Sequence, residues 1–309
     1  MVVDAHVHIF PAVDGYGPKG RTRGAGYGRI DAGDGKPEYV LPAINENTCH
    51  TLPMLLHNME RYGVDKAVLI LCPCYGDWSE YVLEACRAYP DKFVGSAFFD
   101  PWRKDAKAYY HANLRGPLWK NIKIEFSESG GLCGVYPGAN LDAPELRWIW
   151  EAMEKERKTV SFDLGRPGDR SYQTAQIEAI ARRHPNLKMV LCHMGQPSRR
   201  AERDPELWSG WLAQIRLGEL DNIWFDLSAM PYHVQEEEEY PFPSTKRYFD
   251  LALSIVGPEK LLWGTDAPWL LGTASYGQLV AHGRHLVEDL PADAQRKILA
   301  ENALKVYWE

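Results

Sequence analysis

The sequence predicts one α/β domain spanning residues 1–309, a (β/α)8 barrel of the TIM type with a long loop after the first strand and closing C-terminal helices. Three observations support this prediction. Short apolar runs alternate with amphipathic helical segments, eight such strand-helix units follow one another, and no linker rich in Pro, Gly or Ser divides the chain. Alternating strands and helices favour a parallel sheet, and eight units in a chain of this length favour a closed barrel.

The elements follow from the spacing of apolar residues. The predicted strands cover residues 1–10, 66–72, 93–99, 121–125, 159–163, 187–192, 222–227 and 260–264. The predicted helices cover residues 51–62, 78–89, 106–115, 143–155, 173–184, 208–217, 245–256, 276–288 and 293–308. The run at 66–72 is continuously apolar, which is typical of a strand that is covered on both faces.

Composition narrows the class of protein. Hydrophobic residues make up 45% and charged residues 25%, as in an ordinary globular protein. A net charge of -7 argues against a nucleic-acid partner, and no apolar run is long enough to span a membrane. The N-terminus lacks the basic and apolar segments of a signal peptide. We therefore expect a cytoplasmic protein that acts on a small-molecule substrate.

The six cysteines are scattered, which fits a reducing compartment better than a disulfide framework. Cys72 and Cys74 form a C-x-C sequence at a predicted strand end. No second cysteine pair completes a zinc site, so the sequence favours a packing role for both.

The first strand ends in His6 and His8, whose i, i+2 spacing places both imidazoles on one face. Two neutral imidazoles at a strand end can share one divalent ion. The alternative is a buried strand that carries two incidental histidines.

The loop over residues 11–49 contains eight glycines between Gly15 and Gly35 and four basic residues, Lys19, Arg21, Arg23 and Arg29. A basic, glycine-rich lid beside a catalytic strand end would suit an anionic substrate. A solvated surface insertion is the alternative.

In a (β/α)8 barrel the active site lies at the carboxyl ends of the strands. The polar residues at these ends are His6, His8, Lys123, Glu125, Asp163, His193, Asp226, Ser228 and Asp266. Two histidines and a carboxylate can hold one Zn²⁺ or Mn²⁺, which lowers the pKa of a bound water to about 7.

Roles for these residues follow from their chemistry. Asp266 is suited to ligate the ion and to move the water's proton, while His193 could polarise the substrate, act as a base or complete the ligand set. Lys123, or Arg23 from the lid, could neutralise a substrate carboxylate. Trp269 could stack on an aromatic ring. For Asp226 the favoured interpretation is a cap on the following helix.

With these residues in view, the sequence resembles the amidohydrolase superfamily, specifically the amidohydrolase-2 branch of metal-dependent TIM-barrel hydrolases. The resemblance covers nearly the whole chain. It depends on Asp4-Ala-His6-Val-His8, Val190-Leu-Cys-His193-Met-Gly, Trp263-Gly-Thr-Asp266-Ala-Pro and the closing segment Ile298-Leu-Ala-Glu-Asn302-Ala-Leu-Lys-Val-Tyr307. It implies metal-assisted hydrolysis or, in a sub-branch, non-oxidative decarboxylation of aromatic or unsaturated acids. The family's functional residues carry over to His6, His8, His193 and Asp266, and relatives of this kind often form homodimers.

One position departs from the family pattern. Metal-binding members usually end the fifth strand in a histidine ligand, whereas this chain has Asp163. With Asp163 as a ligand, His6, His8, Asp163 and Asp266 would hold one divalent metal, zinc before manganese. Alternatively, the Phe162-Asp163-Leu164 stretch and His193-Met-Gly-Gln-Pro197 resemble the lactonase branch, in which some enzymes need no metal. The favoured function is hydrolysis of a lactone, ester or amide in a carboxylate-bearing substrate, with a metal-dependent decarboxylase as the alternative.

Overall fold

Eight parallel strands form a sheet that is nearly closed into a barrel in the computed structural model, which describes residues 1–309. These strands are β1 (Val3–Val7), β6 (Lys66–Ile70), β7 (Phe93–Phe98), β8 (Asn121–Glu125), β9 (Thr159–Asp163), β10 (Lys188–Leu191), β11 (Ile223–Asp226) and β12 (Leu261–Leu262). Hydrogen bonds from the Ala5 amide to the Trp263 carbonyl (3.0 Å) and from the His8 amide to the Ala267 carbonyl (2.8 Å) join the β1 segment to the segment that follows β12. The predicted (β/α)8 barrel is thus confirmed.

Helices surround the barrel close to their predicted positions. The α-helices are Leu52–Tyr62, Ser79–Ala88, Ala106–Tyr109, Leu132–Val135, Arg147–Lys155, Thr174–Arg183, Arg199–Arg203, Pro205–Ile215, Pro243–Val256, Tyr276–Val287, Ala292–Arg296 and Asn302–Tyr307. Two π-helical segments, Tyr110–Leu114 and Lys297–Glu301, and five 3-10 segments, Pro144–Leu146, Arg216–Glu219, Met230–His233, Pro258–Lys260 and Trp269–Gly272, complete the set. The residues Cys192–Gly195 form a turn in which His193 and Met194 have left-handed φ angles. No helix is both long enough and apolar enough to cross a membrane.

One helix starts earlier than predicted, at residue 205 instead of 208, because its cap lies outside the apolar pattern. The Asp204 carboxylate accepts hydrogen bonds from the amides of Glu206 and Leu207, and Pro205 occupies the first helical position. Both features stabilise a helix start.

The segment after β1 folds into a small antiparallel sheet, where the sequence predicted only a long loop. Its strands are β2 (Asp14–Gly17), β3 (Gly20–Gly24), β4 (Arg29–Asp31) and β5 (Glu38–Tyr39), paired in that order. We call residues 14–39 the insertion sheet. It packs on the turn after β6, because the Asp14 amide bonds to the Tyr75 carbonyl and the Tyr16 amide to the Pro73 carbonyl.

The interior of the barrel changes from apolar to polar toward the carboxyl ends of the strands. The C-terminal helix closes the opposite end, where Val306 and Tyr307 pack with Val3, Ala5 and other interior residues. Above them, the side chain of Asn121 donates to the Ser96 and Ser161 hydroxyls at 2.7 and 2.9 Å. The pleat of β8 then brings Lys123 and Glu125 to this same interior face.

Candidate active site

The two histidines of β1 each have one ring nitrogen engaged by an outer partner. His8 Nδ1–H donates to the carbonyl of Ile70 at 2.7 Å, and His6 Nδ1–H donates to the Asp226 carboxylate at 3.1 Å. These donors fix the tautomers, leaving a lone pair on each Nε2. Burial lowers the pKa of His6 to about 4, so this ring is neutral at pH 7.

Both Nε2 atoms point toward the carboxylate of Asp266. Its Oδ1 lies 3.1 Å from His8 Nε2 and 3.7 Å from His6 Nε2. The Nε2 of His6 is fully buried and has no hydrogen-bond partner. Lone pairs facing a carboxylate repel it unless a proton or a cation lies between them. The donor set of His6, His8 and Asp266 therefore fits a divalent metal ion, and its outer partners orient both imidazoles as metal-bound histidines require.

Asp266 lies four residues beyond the end of β12, in a loop that contacts the backbone of β1. Its amide donates to the His6 carbonyl at 2.8 Å, and its backbone has a left-handed φ of 56°. A Cβ at Gly264 would approach His6 N to 3.0 Å, so a side chain there would displace β1. The carboxylate of Asp4 holds the loop from below by accepting from the Thr265 amide and hydroxyl at 2.8 and 2.6 Å.

His193 lies after β10 and forms a charged pair with Asp163. Its Nε2 lies 3.2 Å from Asp163 Oδ2, and its Nδ1 lies 2.8 Å from the Ser228 hydroxyl, which itself donates to Asp226. Although burial alone would lower the pKa of His193, the Asp163 carboxylate outweighs it and raises this pKa to about 9. The same ion pair holds the pKa of Asp163 well below its usual value despite burial. His193 is therefore an imidazolium at pH 7, held in a left-handed backbone with φ of 59°.

The remaining contacts of Asp163 lie on the same side of the site. Its Oδ1 accepts from Gln196 Nε2 and from the Gly165 amide, each at 3.0 Å. The structure brings His6, His8 and Asp266 to one point, and it places Asp163 beside His193 instead. A role for Asp163 as a metal ligand stays a prediction.

Asp226 accepts hydrogen bonds from His6 and from the backbone of His193, so the interpretation as a helix cap is wrong. In addition to His6, it accepts from the His193 amide at 2.9 Å, and it is almost completely buried. Although burial alone would raise the pKa of Asp226, its interactions with His6, His193 and Ser228 outweigh burial and hold this pKa below its usual value. The position of Asp226 at the end of β11 could have marked it as a candidate site residue, because the active site of a (β/α)8 barrel lies at the strand ends.

Lys123 and Glu125 form an ion pair at the cavity wall. Lys123 Nζ lies 3.1 Å from Glu125 Oε2, and the Ser127 hydroxyl donates to Glu125 Oε1 at 2.7 Å. Although burial opposes the charge, Glu125 and neighbouring acidic groups raise the pKa of Lys123 well above its usual value. Lys123 is thus a cation already paired within the protein.

A cavity of about 470 Å³ opens above these groups. The residues that line it include His8, Lys123, Glu125, Asp163, His193, His233, Asp266 and Trp269. Trp269 lines this cavity, and its role as a substrate contact stays a prediction. The insertion sheet and its turns close one side through Lys19 and Lys36, and Arg166 comes from the loop after β9.

The prediction for Arg23 is wrong, since this residue is exposed and does not line the cavity. The alternation of β3 turns Thr22 inward, where its hydroxyl donates to the Cys74 carbonyl at 2.5 Å, and turns Arg21 and Arg23 outward. Apart from Lys123, the basic residues that reach the cavity are Lys19, Lys36 and Arg166, which the sequence did not distinguish from its other surface cations.

Comparison with known proteins identifies the class. The family model described as Amidohydrolase matches residues 3–308, so the chain belongs to this family of amidohydrolase-2 enzymes. No curated protein sequence matches it.

Solved structures agree on the fold. An amidohydrolase from Burkholderia multivorans with bound zinc is 17% identical with a TM-score of 0.74, covering 100% of this chain and 99% of its own. A probable 2-pyrone-4,6-dicarboxylic acid hydrolase from Acinetobacter baumannii with bound citric acid is 17% identical with a TM-score of 0.69, covering 100% of this chain and 99% of its own. A 5-carboxyvanillate decarboxylase from Sphingomonas paucimobilis is 17% identical with a TM-score of 0.55, covering 82% of each chain. At these identities the likeness concerns the barrel fold.

Proposed function

We propose that the protein is a hydrolase that adds a water molecule to the carbonyl of a lactone, ester or amide in a small substrate that bears a carboxylate. The observation that carries this proposal is the convergence of Asp266 with the Nε2 lone pairs of His6 and His8 at the base of a cavity. A carboxylate that lines an open cavity can accept a proton from a water molecule as a general base.

The donor set supports a single divalent metal, and two histidines with a carboxylate favour zinc over manganese. His6, His8 and Asp266 would hold this ion, with Asp163 as a further predicted ligand. When bound there, a metal lowers the pKa of a water to about 7 and polarises a carbonyl. The lactonase-like Asp163 keeps a metal-independent enzyme as the alternative, in which Asp266 activates water while the histidines orient it.

The chain's own residues supply the proton transfers and the charge. Asp266 accepts the proton of the attacking water and passes it to the leaving oxygen or nitrogen. His193 holds a positive charge against the cavity because Asp163 keeps it protonated, and this charge stabilises the oxyanion that develops on the carbonyl. Asp226 positions His6 and His193 by accepting from the His6 ring and from the His193 amide.

Charge at the cavity wall supports a carboxylate on the substrate. Lys36 and Arg166 both line the cavity, and neither takes part in a salt bridge, whereas Lys19 is paired with Asp34 and Lys123 with Glu125. Unpaired cations are the better partners for a carboxylate, and the guanidinium of Arg166 can bind one through two hydrogen bonds. The hydrolase-like neighbour from Acinetobacter baumannii carries citric acid, a polycarboxylic acid.

A decarboxylase on the same scaffold is the second candidate, and the aromatic wall of the cavity favours it. Trp269 and Tyr232 both line the cavity with ring centroids 5.8 Å apart, which suits an aromatic substrate ring. One structural neighbour is a 5-carboxyvanillate decarboxylase. In this reaction Asp266 or His193 would protonate the ring carbon as carbon dioxide leaves.

The test is metal analysis of the purified protein together with turnover of a panel of lactones and hydroxybenzoates, for the wild type and the Asp266→Asn variant. The matched control is Asp289→Asn, which changes an exposed carboxylate. We expect acid release from a lactone, a fall of about 10²- to 10⁴-fold in Asp266→Asn, and no change in the control. Release of carbon dioxide from a hydroxybenzoate without lactone hydrolysis would replace the hydrolase with the decarboxylase. Full activity in Asp266→Asn would refute both.

Two further expectations belong to this proposal. Six free thiols fit a cytoplasmic location. Assembly as a homodimer stays a prediction.

A further inference from the structure

Cys72 and Cys74 lie in a tight turn that brings their sulfur atoms together. The Tyr75 amide donates to the Cys72 carbonyl at 3.1 Å, which defines a β-turn with Pro73 at its second position. The two Sγ atoms are 3.1 Å apart. A disulfide has an S–S distance of about 2.05 Å, so the sulfurs need to approach by roughly 1 Å.

The pair lies on the wall of the cavity, where the proposed chemistry leaves it unused. Both residues line the same cavity as Lys123 and Glu125, and both are partly exposed. Neither belongs to a group of ligands that could hold a metal ion. A small oxidant that enters the cavity can therefore reach both thiols.

The turn also supports the insertion sheet. Its carbonyls at Pro73, Cys74 and Tyr75 accept hydrogen bonds from the Tyr16 amide, the Thr22 hydroxyl and the Asp14 amide. A Cβ on Gly15 would lie 2.0 Å from the Pro73 carbonyl oxygen, so the two backbones are in direct contact. A change in the turn is therefore transmitted to the sheet that closes the cavity.

We propose that Cys72 and Cys74 form a reversible disulfide, and that its formation lowers activity by displacing the turn and the insertion sheet at the cavity wall. The oxidant is a low-molecular-weight disulfide. One cysteine thiolate attacks a sulfur of this disulfide, forming a mixed disulfide and expelling one thiol. The second cysteine then attacks the protein sulfur of the mixed disulfide, expels the second thiol and closes the Cys72–Cys74 bond. In total, two protein thiols are oxidised and one disulfide is reduced to two thiols.

The experiment titrates the full-length protein with oxidised and reduced glutathione and identifies the product by mass spectrometry. It uses a Cys86→Ser background, because trypsin releases residues 67–87 as one peptide that contains all three cysteines. We expect this peptide to lose two hydrogen atoms on oxidation and to regain them with dithiothreitol. We also expect faster hydrogen exchange at the amides of residues 14–17. These two measurements do not depend on the proposed hydrolysis.

Turnover is then compared between the oxidised and reduced forms of each variant. A shift of about 1 Å at a substrate site can change the rate on the order of 10²-fold, so we expect a tenfold or greater fall that dithiothreitol reverses. Cys72→Ser and Cys74→Ser should each be insensitive to oxidant, and the matched control Cys49→Ser should stay sensitive. A peptide that stays reduced or carries only glutathione adducts would overturn the disulfide. If the peptide is oxidised but hydrogen exchange and turnover are unchanged, the disulfide has no effect on the site. Turnover of Cys74→Ser that falls with oxidant as much as that of the wild type would also overturn this effect.

Discussion

Replacing Asp226 by Asn tests whether this buried carboxylate sets the tautomer of His6. The two side chains have the same shape, but the amide has only one accepting oxygen. One carboxylate oxygen of Asp226 accepts from the His193 amide at 2.9 Å and from the Ser228 hydroxyl, and the other accepts from His6 Nδ1 at 3.1 Å. The Ser228 amide also donates to the first of these oxygens. The amide oxygen will therefore face the side with three donors, which turns the NH₂ group toward His6.

A donor facing Nδ1 reverses the tautomer of His6. The proton then lies on Nε2, so the lone pair that points toward Asp266 is lost. Hydrogen bonds to charged groups contribute about 1.5–3 kcal/mol, and changing an outer partner of a metal-binding histidine typically weakens metal affinity 10- to 100-fold. The hydrogen-bond energy and the loss of affinity agree, since a tenfold change in affinity corresponds to about 1.4 kcal/mol.

The assay is zinc affinity measured by competition with a chromophoric chelator, together with the tautomer of His6 from ¹⁵N chemical shifts. We expect a 10- to 100-fold loss of affinity in Asp226→Asn. The control is Asp221→Asn, an exposed carboxylate just before the same strand, which should bind zinc like the wild type. Unchanged affinity with the proton still on Nδ1 of His6 would refute the reasoning.

Two further predictions concern stability. Burial lowers the pKa of His282 from 6.5 to about 4, so unfolding takes up a proton in this range and stability falls as the pH drops from 6.5 to 4. At about 1.36 kcal/mol per pKa unit, this loss in the free energy of unfolding is about 3 kcal/mol. Urea titrations at several pH values should show a smaller loss in His282→Asn than in the wild type. Parallel pH profiles of the two proteins would contradict the prediction. Lys123→Met leaves Glu125 buried without its cation, which should lower the free energy of unfolding by about 3–5 kcal/mol. The double variant with Glu125→Gln should recover much of this loss, and a single variant as stable as the wild type would show that the pair contributes nothing.

The order of strands and helices was readable from the sequence because it depends on local patterns. Continuous apolar runs such as residues 67–70 and amphipathic segments such as Tyr276–Val287 carry their pattern within a few residues. Once a barrel is inferred, its closure brings every strand end to one rim. For this reason His6, His8, His193 and Asp266 could be proposed as candidate site residues before their positions were known.

The tertiary structure decided what each of these residues contacts. His6 and Asp226 are 220 positions apart in the sequence, and no local pattern states that one orients the other. The outward direction of Arg23 depends on the pairing of the insertion sheet, since a shift of one residue would have turned it inward. Likewise, the pairing of Asp163 with His193 depends on the loops after β9 and β10. Local periodicity thus determined the barrel and its rim, whereas contacts between distant segments determined tautomers, charges and the cavity wall.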